Sequence, residues 1–269
     1  MTDAVNHARR ATMIRALGLT LASSGLLVAC GGGDDDDDID DRADLADPKL
    51  RFVHAVPGAP NVTLVRNGNP ESNATNVPYK YGSQYYDVGT DTTGLSLRVA
   101  STNAEVATTS FPARRGNRYT TIALPTTSGV ELLTIDDPYN KSLTSDNARV
   151  RFVNAAVNAQ SFDVYLTAPG VDLATVSPRI GALGYKQVVP ATTADSIEIE
   201  GGNYQIRLTP AGSKTAFFST AAVAVPRNGD WLFVALPDDG AIATPNRVRL
   251  LLVRADDSAD ATDELTSTV

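Results

Sequence analysis

The body of this 269-residue sequence contains one pattern twice. The run "LRFVHAVPGAPNVTLV" from Leu50 aligns with "VRFVNAAVNAQSFDVYL" from Val150, and "RGNRYTTIALP" over 115–125 aligns with "RNGDWLFVALP" over 227–237. Copies of about 90 and 105 residues each have the size of a domain. The repeat therefore predicts two tandem domains, at 49–136 and 148–254, joined by a linker at 137–147 that is rich in turn formers.

Within each copy, apolar and polar residues alternate. "GLSLRVAS" and "NYQIRLTP" both place every second residue on an apolar face, which is typical of half-buried strands. Short strands separated by turns such as "RNGNP" and "AGSK" predict an all-β fold of two tandem Ig-like antiparallel β-sandwich domains, with six or seven strands each. The residues expected in the two cores are Phe52, Leu97, Leu124 and Tyr119, and Phe152, Ile206, Leu236 and Trp231.

The first 29 residues have the layout of a secretory signal, in which arginines precede an apolar run at 17–29. That run is shorter than the roughly 20 apolar residues of a membrane-spanning helix. Its end, Leu27-Val28-Ala29-Cys30, resembles the lipobox of bacterial lipoproteins. The resemblance implies that the signal is cut before Cys30, the one cysteine of the chain, and that Cys30 is lipidated. Two or three acyl chains anchor a protein stably, so the membrane is an expected partner through this lipid.

The predicted location is therefore the cell envelope after export. Gly31 follows the cysteine, and by resemblance to bacterial sorting rules this favours the outer membrane. The route of export, general or twin-arginine, stays open.

Acidic residues are concentrated at the ends of the mature chain. Residues 30–48 hold nine aspartates and one arginine, and we expect a disordered tether. Its aspartates lack the spacing of a calcium loop, although calcium binding stays an alternative. Residues 255–269 are expected to be an acidic disordered tail. The body has no basic stripe, so nucleic acid is not an expected partner.

The openings of both copies resemble a bacterial and archaeal family known as domain of unknown function 4397. The first copy has Thr63 where the family prefers aspartate, and it keeps six residues of the family pattern, Arg51, His54, Ala55, Pro57, Ala59 and Pro60. The second copy keeps Asp163-Val164-Tyr165 but has Asn154 in place of the histidine. The resemblance implies exported, often lipid-anchored, β-rich proteins without an assigned activity.

Residues that could carry catalysis are few. His54 is the one histidine that would remain after signal cleavage, and we expect a hydrogen-bonded structural role because its counterpart Asn154 cannot act as a base. Glu198 and Glu200 share a strand face, which is more often solvated than catalytic. The sequence has neither a G-x-S-x-G elbow nor a phosphate-binding loop, and one histidine cannot build a zinc site. We expect no enzyme activity, cofactor or metal.

The segment "VPYKYGSQYYDV" at 77–88 holds four of the nine tyrosines. We predict a binding patch of Tyr79, Lys80, Tyr81 and Tyr85 that is specific to the first copy, because the second keeps only Tyr185 nearby. Amphipathic rings suit binding surfaces, but they also suit sheet edges. The predicted function is a lipid-anchored, non-catalytic binding or adhesion module at the cell surface, with a glycan or protein partner. The alternative is a periplasm-facing structural or envelope-assembly lipoprotein without a small-molecule ligand.

Overall fold

The computed structural model describes residues 46–139, 145–239, 241–255 and 261–269. The predicted signal peptide, Cys30 and nearly all of the aspartate-rich tether lie outside the described residues. Within them the all-β prediction is confirmed, since the helical elements are two three-residue 3-10 turns, Ser72–Ala74 and Leu173–Thr175. In this described part, no helix has the length and apolar character needed to cross a membrane.

The first half contains eight strands in two sheets. One sheet has the order β4-β1-β7-β8 and the other β3-β2-β5-β6. The strands are β1 Lys49–His54, β2 Val62–Arg66, β3 Asn69–Pro70, β4 Tyr86–Asp87, β5 Thr92–Val99, β6 Glu105–Pro112, β7 Asn117–Thr126 and β8 Gly129–Pro138.

In the described residues from 145 onwards, the second half of the body contains eleven strands, several of them very short. They are β9 Ala148–Asn154, β10 Ser161–Thr167, β11 Ile180–Gly184, β12 Val188–Val189, β13 Ile197–Ile199, β14 Gly202–Pro210, β15 Phe218–Ser219, β16 Val223–Val225, β17 Asp230–Pro237, β18 Val248–Arg254 and β19 Thr262–Leu265. One sheet has the order β12-β9-β17-β18-β19, with β13 also beside β9. The other has the order β11-β10-β14-β15, with β16 beside β14.

Corresponding strands of the two halves pair alike. β1 is parallel to β7, with Lys49 opposite Arg118, and β9 is parallel to β17, with Arg149 opposite Asp230. The other ladders between the described strands are antiparallel. The parallel pair arises because the chain leaves β1 for the opposite sheet, so β1 and its neighbour β7 are not joined by a hairpin.

The four sheets are stacked as layers, and a hydrophobic core lies between each pair of neighbouring sheets. One core lies between the two sheets of the first half, around Phe52 and Leu97, and a second lies between the two sheets of the second half, around Phe152 and Ile206. A third core joins β1, β7 and β8 to β9, β17 and β18. We call these two facing sheets the inner sheets and the other two the outer sheets. Two sandwiches are therefore packed face to face.

The six aliphatic and phenylalanine positions predicted for the cores are all at most 1% exposed, which confirms their burial. Leu124 and Leu236, however, lie in the third core and not inside their own sandwiches. Tyr119 and Trp231 lie inside the first and second sandwich respectively. Alternation assigns a residue to one face of a strand, but it does not say which sheet covers that face.

The structure corrects two predicted boundaries. β8 runs to Pro138, and Asp137 and Tyr139 are buried, so the predicted linker does not begin at 137. The C-terminal segment, expected to be disordered, instead adds β19 to the edge of β18. The two acidic residues of β19 are paired with arginines, Asp263 with Arg254 and Glu264 with Arg249.

Candidate functional site

A cluster of six buried charged side chains lies where the two inner sheets meet. Arg149 donates to Asp230 at 3.1 Å and to Asp137 at 2.7 Å, while Arg118 donates to Asp230 at 2.9 Å and Arg151 to Asp137 at 2.9 Å. Each carboxylate thus accepts two charge-assisted hydrogen bonds. The members are Arg51, Arg118 and Asp137 from the first half and Arg149, Arg151 and Asp230 from the second, all at most 8% exposed.

The cluster contains four arginines but two aspartates, and carbonyl oxygens and aromatic rings provide further partners for the arginines. Arg151 also donates to the carbonyl oxygens of Pro190, Ala191 and Ala194. The guanidinium carbons of Arg118 and Arg149 lie 3.8 and 4.4 Å from the centroid of the Tyr139 ring. Burial alone would raise the pKa of Asp230, but the arginines, with Arg149 and Arg118 foremost, outweigh it and lower that pKa. Asp230 therefore stays ionised, and its ion pairs with Arg118 and Arg149 tie the two halves together.

Two tyrosines form reciprocal hydrogen bonds across the same junction. The Tyr79 hydroxyl donates to the carbonyl of Pro237 at 3.3 Å, and the Tyr185 hydroxyl donates to the carbonyl of Pro125 at 2.5 Å. The residue after each tyrosine has a positive φ, 70° at Lys80 and 66° at Lys186. Their N–H groups bond the carbonyls of the equivalent residues His54 and Asn154. We call these two features the tyrosine clasps.

The predicted tyrosine patch is corrected by this arrangement, because the four side chains do not form one solvent-facing surface. Tyr79 belongs to a clasp, and Lys80 pairs with Asp239 and Glu264 of the second half. Tyr81 packs against the first core, with its hydroxyl bonded to the carbonyl of Asn73. Tyr85 lies inside the junction, with the Arg51 guanidinium carbon 4.6 Å from its ring centroid.

The segment is also not specific to the first copy, since Tyr185 is the structural counterpart of Tyr79. The signal that could have shown this is the dipeptide Tyr-Lys, which occurs at 79–80 and again at 185–186. The charged cluster was missed altogether. Its members are spread from Arg51 to Asp230 and carry no motif.

His54 and Asn154 are fully buried, and each accepts the equivalent hydrogen bond from the backbone N–H two residues further on. The Val56 N–H donates to Nδ1 of His54 at 3.4 Å, and the Ala156 N–H donates to Oδ1 of Asn154 at 3.0 Å. Desolvation lowers the pKa of His54 to about 4, partly offset by the Pro60 carbonyl. His54 is therefore a neutral structural residue at neutral pH.

The two glutamates on β13 and after it do not meet in a catalytic pair. Both side chains are exposed, and Glu198 accepts from Ser145 and Asn147. Across the described ranges, His, Cys, Asp and Glu side chains do not group in threes that could hold a metal ion. A cleft of about 480 Å³ opens beside β16, over Trp231, Leu252 and Leu265. Its charged lining residues are Arg254 and Asp263, which pair with each other at 3.1 Å.

The two ends of the molecule differ in what they present. At one end, which we call the entry end, Gly116 donates to the carbonyl of Ala46 and Val88 donates to that of Pro48. β1 and β9 both run away from this end in the same direction. The two strands contribute arginines to the charged cluster, and the last residue of each, His54 or Asn154, accepts a hydrogen bond from the lysine that follows the clasp tyrosine. They lead to the opposite end, the loop end, which is formed by residues 55–61, 155–160 and 241–247.

The loop end exposes apolar side chains on a fixed support. Val157 is 40% exposed and Ile242 is 47% exposed, in two loops joined by Asn158. The Asn158 amide nitrogen lies 2.8–3.0 Å from the carbonyl oxygens of Ala241, Thr244 and Arg247. The described part contains two other large apolar residues that are this exposed, Val106 on β6 and the terminal Val269.

Comparison with protein families gives one match. Residues 48–165 match the model of a family described as domain of unknown function (DUF4397). The match supports the family resemblance carried by the two openings. The matched residues include all of β1 to β8 and continue through β9 into β10, where the match ends at Tyr165 of the Asp-Val-Tyr run. None of the curated proteins matches the chain.

Among solved structures, the chain is similar to the crystal structure of CBMbc, of family CBM26, from Eubacterium rectale Amy13K in complex with maltoheptaose. The two are 6% identical, the alignment covers 78% of this chain and 98% of that chain, and the TM-score is 0.21. A similarity at this score carries no argument about the fold or the ligand of this chain.

Proposed function

We propose that this chain is a lipid-anchored, non-catalytic binding module of the bacterial cell envelope that presents its loop end to a partner. The observation that carries the proposal is the direction in which β1 runs through the body, from the entry end to the loop end. The chain enters at Ala46–Pro48, and β1 leads directly from there to the loop end. An anchor at Cys30 would therefore hold the loop end on the far side of the body.

The tether sets the distance from the membrane. Eighteen residues separate Cys30 from Lys49. At about 3.5 Å per residue they reach at most roughly 60 Å. If like charges extend this segment, as they do in other charged linkers, the body would be held clear of the lipid headgroups.

Contact with a partner is assigned to Val157 and Ile242. Apolar side chains on loop tips gain free energy when a partner removes them from water, and the three-carbonyl cradle of Asn158 limits the entropy lost on binding. A protein or a glycan of the envelope or of another cell is the partner class that fits a module held outward in this way.

The alternative is a structural role at the envelope without a ligand. The observation that favours it is the third core, which makes the two sandwiches one continuous support. In this case the body acts as a spacer facing the periplasm, and the loop end needs no partner.

The first experiment tests the anchor and its side. Cys30→Ser should release the protein from membranes or leave an uncut precursor, and mass spectrometry of the wild type should find acyl chains on Cys30. Protease shaving of intact cells should remove the body if it faces outward. An unmodified thiol at Cys30 contradicts the anchor, and a body that resists shaving favours the periplasmic spacer.

The second experiment tests the loop end. Val157→Asp with Ile242→Asp should reduce binding to cells or to immobilised glycans at least about tenfold, because a charge replaces each apolar contact. Val106→Asp is the matched control, since Val106 is similarly exposed, at 37%, but lies on β6 of an outer sheet. Equal binding by all three proteins would contradict a binding role for the loop end.

A further inference from the structure

The contacts between the two halves come in reciprocal pairs. Tyr79 bonds the proline carbonyl that ends "ALP" in the second copy, and Tyr185 bonds the proline carbonyl that ends "ALP" in the first. In an interface with twofold symmetry, residue i contacts j and j contacts i. The two clasps therefore have the pattern of a dimer interface between two copies of one domain.

The apolar part of the junction has the same symmetry. The third core contains the equivalent pairs Val53 and Val153, Ala55 and Ala155, and Leu124 and Leu236. Because β1 and β9 run in the same direction, the pseudo-twofold axis relating the halves runs along the strands. The two repeated halves therefore pack like the subunits of a twofold dimer, although they belong to a single chain.

One contact identifies the axis itself. Arg118 and Asp230 occupy equivalent positions, since 115–125 aligns with 227–237, and each lies opposite the equivalent residue of β1 or β9 in the parallel ladder. Their side chains bond each other at 2.9 Å. A residue that lies on a twofold axis meets its own copy. The position on the axis therefore holds an arginine in the first half and an aspartate in the second.

The charge difference decides which halves can pair. Two first halves would place Arg118 against Arg118, and two second halves would place Asp230 against Asp230. Both side chains are buried, 6% and 8% exposed, so either like pairing would lose the Arg118–Asp230 ion pair and replace it with a repulsion that water does not screen. Repulsion in the wrong pairing is a standard source of specificity.

We propose that the junction is a dimer-type docking interface whose Arg118–Asp230 pair makes the first half select the second half and reject a second copy of itself. The partner that this face fits is a domain of the same fold with the opposite charge at the axis position. The inference concerns the body alone and holds whether or not the chain is anchored.

The test uses the full chain with a flexible, protease-cleavable insert placed between Tyr139 and Ser145. After cleavage, the two halves should elute together as one complex at micromolar concentration, and native mass spectrometry should find only one first half with one second half. Separation of the wild-type halves, or a statistical mixture of like pairs, would overturn the proposal.

Four variants of the cleavable chain test the determinant. Arg118→Asp and Asp230→Arg should each weaken the pairing at least about a hundredfold, or prevent folding, because each places like charges on the axis. The double exchange R118D/D230R should restore pairing, and a double exchange no better than the single changes contradicts the proposal. The neutral pair R118M/D230L should keep the halves together but let like pairs appear, and their absence contradicts it too.

The matched control is Arg115→Asp. Arg115 also lies near the start of β7, but its side chain is 60% exposed and pairs with Asp47 outside the junction. This reversal should leave pairing within about twofold of the wild type. A loss as large as that of Arg118→Asp would show that the effect is general charge reversal and would overturn the assignment to the axis.

Discussion

At the scale of single residues, His54 shows how burial fixes a chemical role. Its ring is fully buried, and Nδ1 accepts the backbone N–H two residues on, as Oδ1 of Asn154 does in the second half. Asn154 also donates to the carbonyls of Ala159 and Leu183, whereas Nε2 of His54 makes no hydrogen bond of normal geometry among the described residues. The histidine thus makes the shared hydrogen bond but adds a titratable group in a site without solvent.

His54 should make stability depend on pH. Its pKa is lowered to about 4 in the folded protein from 6.5, so the unfolded chain binds the proton first as pH falls. The contribution of neutral His54 to the free energy of unfolding is fully present above pH 6.5 and decreases as the pH falls towards 4. Below that pH it is lost, a decrease of about 3 kcal/mol in all. His54→Asn, which copies the second half, should flatten this slope in urea unfolding between pH 7 and 4. An unchanged slope would contradict the assignment.

At the scale of elements, β19 shows an acidic segment ordered by its neighbours. Lys80 and Arg249 both pair with Glu264, and Leu265 packs against the core of the second half. β19 also covers the edge of β18, whose N–H and C=O groups would otherwise face solvent. Pairing and charge neutralisation together offset the ordering entropy of a four-residue strand.

A chain ending at Ala261 should therefore expose β18. We expect faster amide hydrogen exchange in Leu250–Val253 and a lower unfolding midpoint, because the ladder and the packing of Leu265 are removed. A chain ending at Leu265 keeps β19 and is the control, with exchange in β18 close to the wild type. If both truncations leave exchange unchanged, β19 does not protect the edge.

At the scale of the whole molecule, the third core makes the two sandwiches one cooperative body. Val53, Ile122 and Leu124 pack with Val153, Val234 and Leu236 across the junction, and the charged cluster closes the same interface nearer the entry end. Both halves bury these side chains only in each other. Neither half can therefore lose its structure without exposing the inner sheet of the other.

Leu124→Ala should consequently destabilise both halves at once. The expected loss is about 2–5 kcal/mol, as for other buried leucines, and calorimetry should still show one unfolding transition. Leu97→Ala, in the core of the first sandwich alone, is the comparison and should also leave one transition. Two separate transitions, with only the first shifted by Leu124→Ala, would show that the halves unfold independently.

The sequence alone determined the all-β class and the burial of particular residues. Alternation in "GLSLRVAS" and "NYQIRLTP", the turns between short apolar runs and the repeated "RFV" and "ALP" segments led to an all-β fold and to six buried core positions. These features are local, because a period of two is set by the geometry of one strand and a turn by a few dihedral angles. The resemblance of Leu27–Cys30 to a lipobox is likewise local, and lipidation of Cys30 stays a prediction.

Only the tertiary structure decided what the buried faces pack against. Leu124 and Leu236 were predicted inside separate sandwiches, and Tyr79 and Tyr85 on a surface, but the junction uses all four. The residues of the charged cluster come from β1, β7, β8, β9 and β17, and nothing in their local sequence shows that they meet. Strand periodicity specifies a face, whereas the packing of one sheet on another depends on side chains brought together from distant parts of the chain.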